Sequence, residues 1–213
     1  MSDLSPAIMS VSYFGPVQYY TKFLQHEIVV EKHEHYTKQS YRNRCEIYGA
    51  NGKQSLVIPV VHDHGKKTLI TDVKIDYDTN WQINHWRSIE SAYRSAPFYE
   101  YYIDEFEVFF NKKYTFLFDL DMDILNVTLN TLNIVQVMSF NSEYERHFLG
   151  YDFRNAIHPK KRMRKEDPGF IPKKYAQVFS EKTDFLNNLS ILDLIFNEGP
   201  EAKSILMQSV GIY

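Results

Sequence analysis

Apolar residues along this chain recur at every second position in the first third and at every third or fourth afterwards, so strands are expected early and helices late. Ala7 to Ser12 and Glu27 to Glu31 read as short strands. Between them Gly15-Pro16 breaks the first and opens a short helix with Val17, Tyr20 and Leu24 on its apolar stripe. From Tyr41 to Tyr48 the residues alternate, with Tyr41, Asn43, Cys45 and Ile47 on one face and Arg42, Arg44, Glu46 and Tyr48 on the other. Asn51-Gly52 then signals a hairpin, and Gln54 to Val61 is the returning strand. His62 to Lys67 reads as another turn, before a strand from Thr68 to Ile75.

The period changes at Thr79 or Asn80, which can cap a helix to about Ser95 with His85, Trp86, Ile89, Ala92 and Tyr93 on one face. Pro97 opens a second helix carrying Phe98, Tyr102, Phe106 and Phe109 or Phe110. Tyr114 to Phe118 reads as a strand, Asp121 as the cap of a third helix to about Leu132, and Ile134 to Phe140 as a strand again. Near the end Ser190 and Asp193 form an S-x-x-D capping box, Gly199 stands where a helix end wants positive φ, and Pro200 starts the last helix. This order predicts an α/β (mixed α+β) fold in one domain, 1–213. Its β-rich part spans 7–75, and a mixed sheet is packed by helices from 79–213, in preference to a doubly wound fold.

A chain of 213 residues buries roughly 70% of its unfolded surface and can hold a core without disulfides or metal. The 16 Tyr, 15 Phe and 2 Trp are many for that size. A Phe-rich share falls on helical stripes, whereas Tyr13, Tyr19, Tyr20, Tyr36 and Tyr41 surround the polar run His33 to Arg44. The single cysteine, Cys45, and the lack of a long apolar run imply a reducing, cytoplasmic setting.

Charge is uneven. Pro159 to Lys174 holds seven Lys/Arg against Glu166 and Asp167, which leaves 17 basic and 25 acidic residues, or −8, on the rest. That basic segment, 159–174, reads as a surface loop. It is either a solvated connection or a contact for phosphate or anionic glycolipid, with any membrane contact peripheral and through 160–165. One short basic loop on an acidic body lacks the electrostatic footprint of nucleic-acid binding.

Phosphate-loop, dinucleotide, nucleophile-elbow and zincin signatures are absent. Asp119-Leu-Asp121-Met-Asp123 has the D-x-D spacing of metal-dependent glycosyltransferases, or else Asp121 simply caps a helix. His33-x-His35 and His62-x-His64 would each place two rings on one side of a strand, although no metal site and no cofactor is expected. His85 on its apolar helix face is either a core histidine or a base at a pocket mouth. Cys45, facing away from the arginines, reads as a core residue. Arg42 and Arg44 on one strand face could clamp a phosphate or carboxylate, or pair with Glu46 or Glu31.

The runs Tyr13-Phe-Gly-Pro16 with Tyr19-Tyr20, His33-Glu34, Tyr36, Lys38-Gln39, Tyr41-Arg-Asn-Arg44 and Leu56-Val-Ile-Pro-Val60 resemble the WbqC-like family. So do Trp81-Gln82, His85, Ala92-Tyr93, Ala96-Pro-Phe98, Tyr175, Gln177-Val-Phe179 and Leu189 to Leu194 with Asn197-Glu-Gly199. The resemblance favours the branch seen in Bacteroidetes-like bacteria. It implies a place in the biosynthesis of O-antigen and related surface polysaccharides, with glycyl transfer suggested for some members. On that basis the expected protein is a transferase moving an acyl or aminoacyl group from an activated small-molecule donor to a sugar or sugar-phosphate acceptor. A non-catalytic sugar-phosphate or lipid-carrier binding protein is the alternative. In the transferase reading His85 or His33 deprotonates the acceptor, Arg42, Arg44 and Lys38 hold the anionic group, and Asn43 and Tyr41 orient the substrate. Tyr13, Phe14, Tyr19 and Trp81 then offer stacking surfaces.

Overall fold

The computed structural model describes residues 4–61, 67–180 and 184–212. In chain order its elements are β1 (Pro6–Met9), α1 (Val17–Thr21), β2 (Glu27–Val30), β3 (Arg44–Gly49), β4 (Gly52–Val57), α2 (Trp81–Tyr93), α3 (Tyr99–Asn111) and α4 (Leu117–Thr131). There follow β5 (Met138–Phe140), β6 (Tyr151–Asp152), α5 (Ile191–Glu198) and α6 (Ala202–Gln208). The fold is α/β, as the pattern predicts.

The expected mixed sheet is divided in two. One sheet has four strands in the order β5-β2-β1-β6, every neighbouring pair parallel, and the other is the antiparallel hairpin β3-β4. From β1 the chain steps outward to β2 and β5, then returns to place β6 on the opposite flank of β1. The strand order therefore reverses between β1 and β6, and a crevice is expected outside the strand carboxyl ends at that reversal. β6, two residues long, carries no periodicity of its own and is recruited by the free edge of β1, with Ala7 opposite Tyr151.

The hairpin forms where Asn51-Gly52 predicts. Gly49 pairs with Gly52, and Gly52 takes φ +99°, a region closed to most side chains, while Ala50 and Asn51 stay at negative φ. Tyr41 to Asn43 are not strand but a 3-10 turn. The ladder begins only at Arg44 opposite Val57, so Arg42 and Arg44 do not share a strand face. The reading of Thr68 to Ile75 as a strand is likewise replaced, by single bridges around a 3-10 turn at Ile70–Asp72. The apolar run Tyr114 to Phe118 feeds directly into α4, which starts four residues before the expected cap at Asp121.

α1 and α5 are buried all round and form the centre of the molecule. α5 packs on α1, α2, α3 and β3, and its Phe196 meets Tyr93, Tyr99 and Phe106. Ser190 caps α5, accepting from the Leu192 amide at 3.4 Å, and Gly199 ends it at φ +50°. The capping box is not reciprocal. The Asp193 carboxylate turns away to accept from Tyr175 Oη at 2.6 Å and Gln177 Nε2 at 2.7 Å, and burial pushes it up to about 6. Among the described residues no helix is long and apolar enough to cross a membrane.

Candidate functional site

Two regions gather the polar residues of the first third, and they differ in kind. The first lies at the carboxyl ends of the parallel strands. Glu31 after β2, Asn141 after β5 and Arg154 after β6 meet there, with Arg154 Nη1 on Glu31 Oε2 at 2.8 Å and Asn141 Nδ2 on Glu31 Oε1 at 2.6 Å. Arg154 also grips Asp152 through Nη2 at 2.6 Å. Beside this chain Arg42 forks onto Glu34, its Nε 2.6 Å from Oε1 and Nη2 on Oε2, and Nη2 also donates to Ser10 Oγ at 2.7 Å. Every charge in this knot has a partner. The space left between Ser10, Tyr19, Arg42 and Arg154 is about 20 Å³, room for one water.

The second region is an open groove of about 210 Å³ between the segment 36–44 and the end of β4. Tyr36, Lys38, Gln39, Asn43 and Arg44 form one side, and Val57 to Val60 the other. Among the described residues neither cation has an acidic partner and no acid lines the groove; Arg44 is half-buried with its Nε sealed from water without a hydrogen-bond partner, and Lys38 is exposed. An unpartnered buried donor on a cation is costly. Asn43 adds the converse. Its Nδ2 is pinned to the Ile58 carbonyl at 2.7 Å, which leaves Oδ1 buried with no donor. Burial pushes the Tyr36 phenol up to about 12, opposed by nearby Arg42 and Arg44, so at neutral pH its hydroxyl is protonated.

Of the residues singled out from sequence, Lys38, Asn43 and Arg44 converge on the groove. Arg42 belongs to the ion-pair knot instead. Tyr41 is buried with its hydroxyl 3.3 Å from Glu46 Oε2, and Lys53 shares that carboxylate. Tyr13, Phe14, Tyr19 and Trp81 offer no stacking surface, since each is at most 4% exposed. Tyr19 donates to the Ser10 carbonyl at 3.0 Å, and Phe14, held at φ +40°, stacks on Phe110 within a cluster of phenylalanines. Tyr36, Gln39 and Pro59 join the site, although none was given a role in it from sequence. The Tyr-rich run pointed toward Tyr36, but only the fold shows that its four tyrosine companions turn inward.

His85 is a prop and not a base at a pocket mouth. Tyr13 Oη and His85 Nδ1 are hydrogen-bonded at 2.9 Å, and the ring lies against the Val57 main chain, which walls the groove. Burial drags its basicity down to about 4, so the ring is neutral at physiological pH. His33 sits half-buried just past β2, its amide on Glu31 Oε1 at 2.7 Å and its Nε2 sealed without a partner. His35 is exposed beside Leu69, and the pair His62-x-His64 lies outside the described residues.

The D-x-D motif is not assembled. Two residues apart on α4, Asp119 faces solvent while Asp121 is wholly buried with both oxygens unpartnered, and burial raises Asp121 well above the carboxylate range. Cys45 is sealed in the core and burial raises its thiol, as a core residue requires. Among the described residues no group of three or more His, Cys, Asp or Glu is arranged to hold a metal ion.

A parallel-sheet α/β protein with a saturated charge knot at its strand ends and a cationic groove beside it is the class these features define. Residues 12–153 match the WbqC-like protein family, and the chain belongs to that family. It is also 27% identical over 125 residues to the uncharacterized protein Rv1507c of Mycobacterium tuberculosis, a match covering 56% of this chain and 52% of the relative. The chain thus spans about half the length of that curated relative. No solved structure matches it.

Proposed function

We propose that the chain binds a phosphorylated or carboxylated sugar precursor of surface-polysaccharide biosynthesis in the Arg44 groove. The observation that carries this reading is an unpaired, half-buried guanidinium facing a groove with a second cation and no acid. Arg44 presents a planar fork that matches two oxygens of a phosphate or carboxylate, and Lys38 adds a mobile point charge. Asn43 Oδ1 accepts from a sugar hydroxyl, while Tyr36 and Pro59 face the ring's CH groups. About 210 Å³ suits one sugar ring with its anionic group and falls below the range for larger ligands. The polysaccharide setting comes from the family resemblance, and the buried, unpaired Cys45 supports a cytoplasmic one.

Calorimetric titration with glucose 1-phosphate, glucuronate and uncharged glucose tests the reading. The two anions bind and glucose does not, and Arg44→Ala weakens the anions at least about tenfold, as loss of a charge-assisted pair requires. Equal affinity for glucose, or an unaffected Arg44→Ala protein, overturns it.

A second reading makes the protein a transferase that moves an acyl or aminoacyl group from an activated donor to the bound sugar. It rests on His33, just past β2, whose Nε2 has no hydrogen-bond partner among the described residues. In this reading transfer is lost in His33→Ala while glucose 1-phosphate still binds. Transfer that survives His33→Ala rules out that role.

A further inference from the structure

We propose that the basic turn Lys160 to Lys165 docks the protein on an anionic bilayer surface. The folded chain sharpens the charge of this segment beyond what composition shows. Asp167, one of its two acids, is withdrawn into a buried pair with Lys22 at 2.7 Å, so Glu166 is the one acid the segment still exposes. Asp152, close to Lys165, is held by Arg154. Lys161, Arg162 and Met163 form a 3-10 turn and all three stand exposed, Met163 at 51%. An apolar side chain at the apex of a cationic turn is the arrangement of an interfacial contact: the charges are drawn to anionic headgroups and the methionine enters between them.

The turn is braced for this. Its ends are tied to the body through the Lys160 amide on His158 Nδ1 at 3.0 Å, Arg164 Nε on the His158 carbonyl at 3.2 Å and the Lys165 amide on the Ala156 carbonyl at 3.2 Å. The rest of the chain is acidic, at −8, so an anionic surface attracts this segment and repels the remainder, which fixes one orientation. Lys160 Nζ donates to Gln39, a residue of the groove wall, so docking sets the groove beside the bilayer. This inference stands whether or not the groove takes a sugar phosphate.

Co-sedimentation with vesicles of phosphatidylcholine alone and of phosphatidylcholine mixed with phosphatidylglycerol is the test. The protein pellets with the anionic vesicles only, and less as salt rises. Lys161→Gln with Arg162→Gln weakens partitioning about twenty-five-fold, at about fivefold per cation, with the melting temperature unchanged because both side chains are exposed. Met163→Ser lowers the binding that survives at high salt. Arg44→Ala leaves vesicle binding intact, which separates this proposal from the sugar-binding one. Binding to neither vesicle, equal binding to both, or undiminished binding by the double variant overturns it, as does binding of free inorganic phosphate without vesicle binding.

Discussion

Arg42 and Arg44 are two residues apart, yet the fold has given them opposite fates. Arg42 is the middle residue of the 3-10 turn and spends its guanidinium on Glu34, Ser10 and the Arg154 carbonyl. Arg44 opens β3, and among the described residues its Nε has no hydrogen-bond partner. A buried arginine with all its donors matched is a structural part, because removing it strands a carboxylate in a low-dielectric interior. A half-buried arginine with an unpartnered donor in a cationic groove is, in the proposed reading, a binding part, whose loss the fold should tolerate and a ligand should not.

The largest effect should come from breaking the first arginine. Arg42→Ala leaves Glu34 buried and unpaired and should cost about 3–5 kcal/mol in urea unfolding. A loss below about 1 kcal/mol would mean that the knot is not structural. Next comes acid sensitivity at His85. Its folded value near 4 lies below the ordinary 6.5, so its contribution is complete above about pH 6.5 and is lost as pH falls toward 4, about 3 kcal/mol in all. The stability gap between wild type and His85→Leu should therefore narrow on acidification. Asp193 and Asp121 run in the opposite sense, since burial raises both: the folded state is favoured below the ordinary carboxylate value and loses that advantage as pH rises. Asp121→Asn should accordingly gain stability relative to wild type between pH 4 and pH 7, by about 1 kcal/mol or more. Arg44→Ala removes a half-buried cation whose donor is unpartnered, so it should cost no more than about 1 kcal/mol of unfolding free energy, while weakening the anionic sugar at least about tenfold. Lys38→Ala, which removes an exposed point charge, should weaken the same ligand by only about threefold.

The sequence was legible wherever one local rule decided the outcome. The helical faces of α2 and α3, the Asn51-Gly52 hairpin and the Ser190 and Gly199 ends of α5 follow from periodicity and capping alone. It was not legible where a distant partner decided. The alternation at Tyr41 to Tyr48 is genuine, but the ladder from β4 stops at Val57, and the three residues before Arg44 have no strand to pair with. Arg42 meets the Arg154 carbonyl across 112 positions, a contact that no local pattern announces. The apolar run before α4 is equally compatible with strand and helix, and the packing of Leu117 and Leu120 in the core settles it. The site was half visible for the same reason: the polar run His33 to Arg44 marked the place, while which of its side chains turn inward depended on α4 and the strands around it.

In the proposed function Arg44, and not Arg42, receives the anion, and a crystal of the protein soaked with glucose 1-phosphate would separate the two arginines. The phosphate is expected on the Arg44 guanidinium within reach of Lys38, with the sugar against Tyr36 and Pro59. A phosphate seated on Arg42 between Ser10 and Arg154 would contradict it.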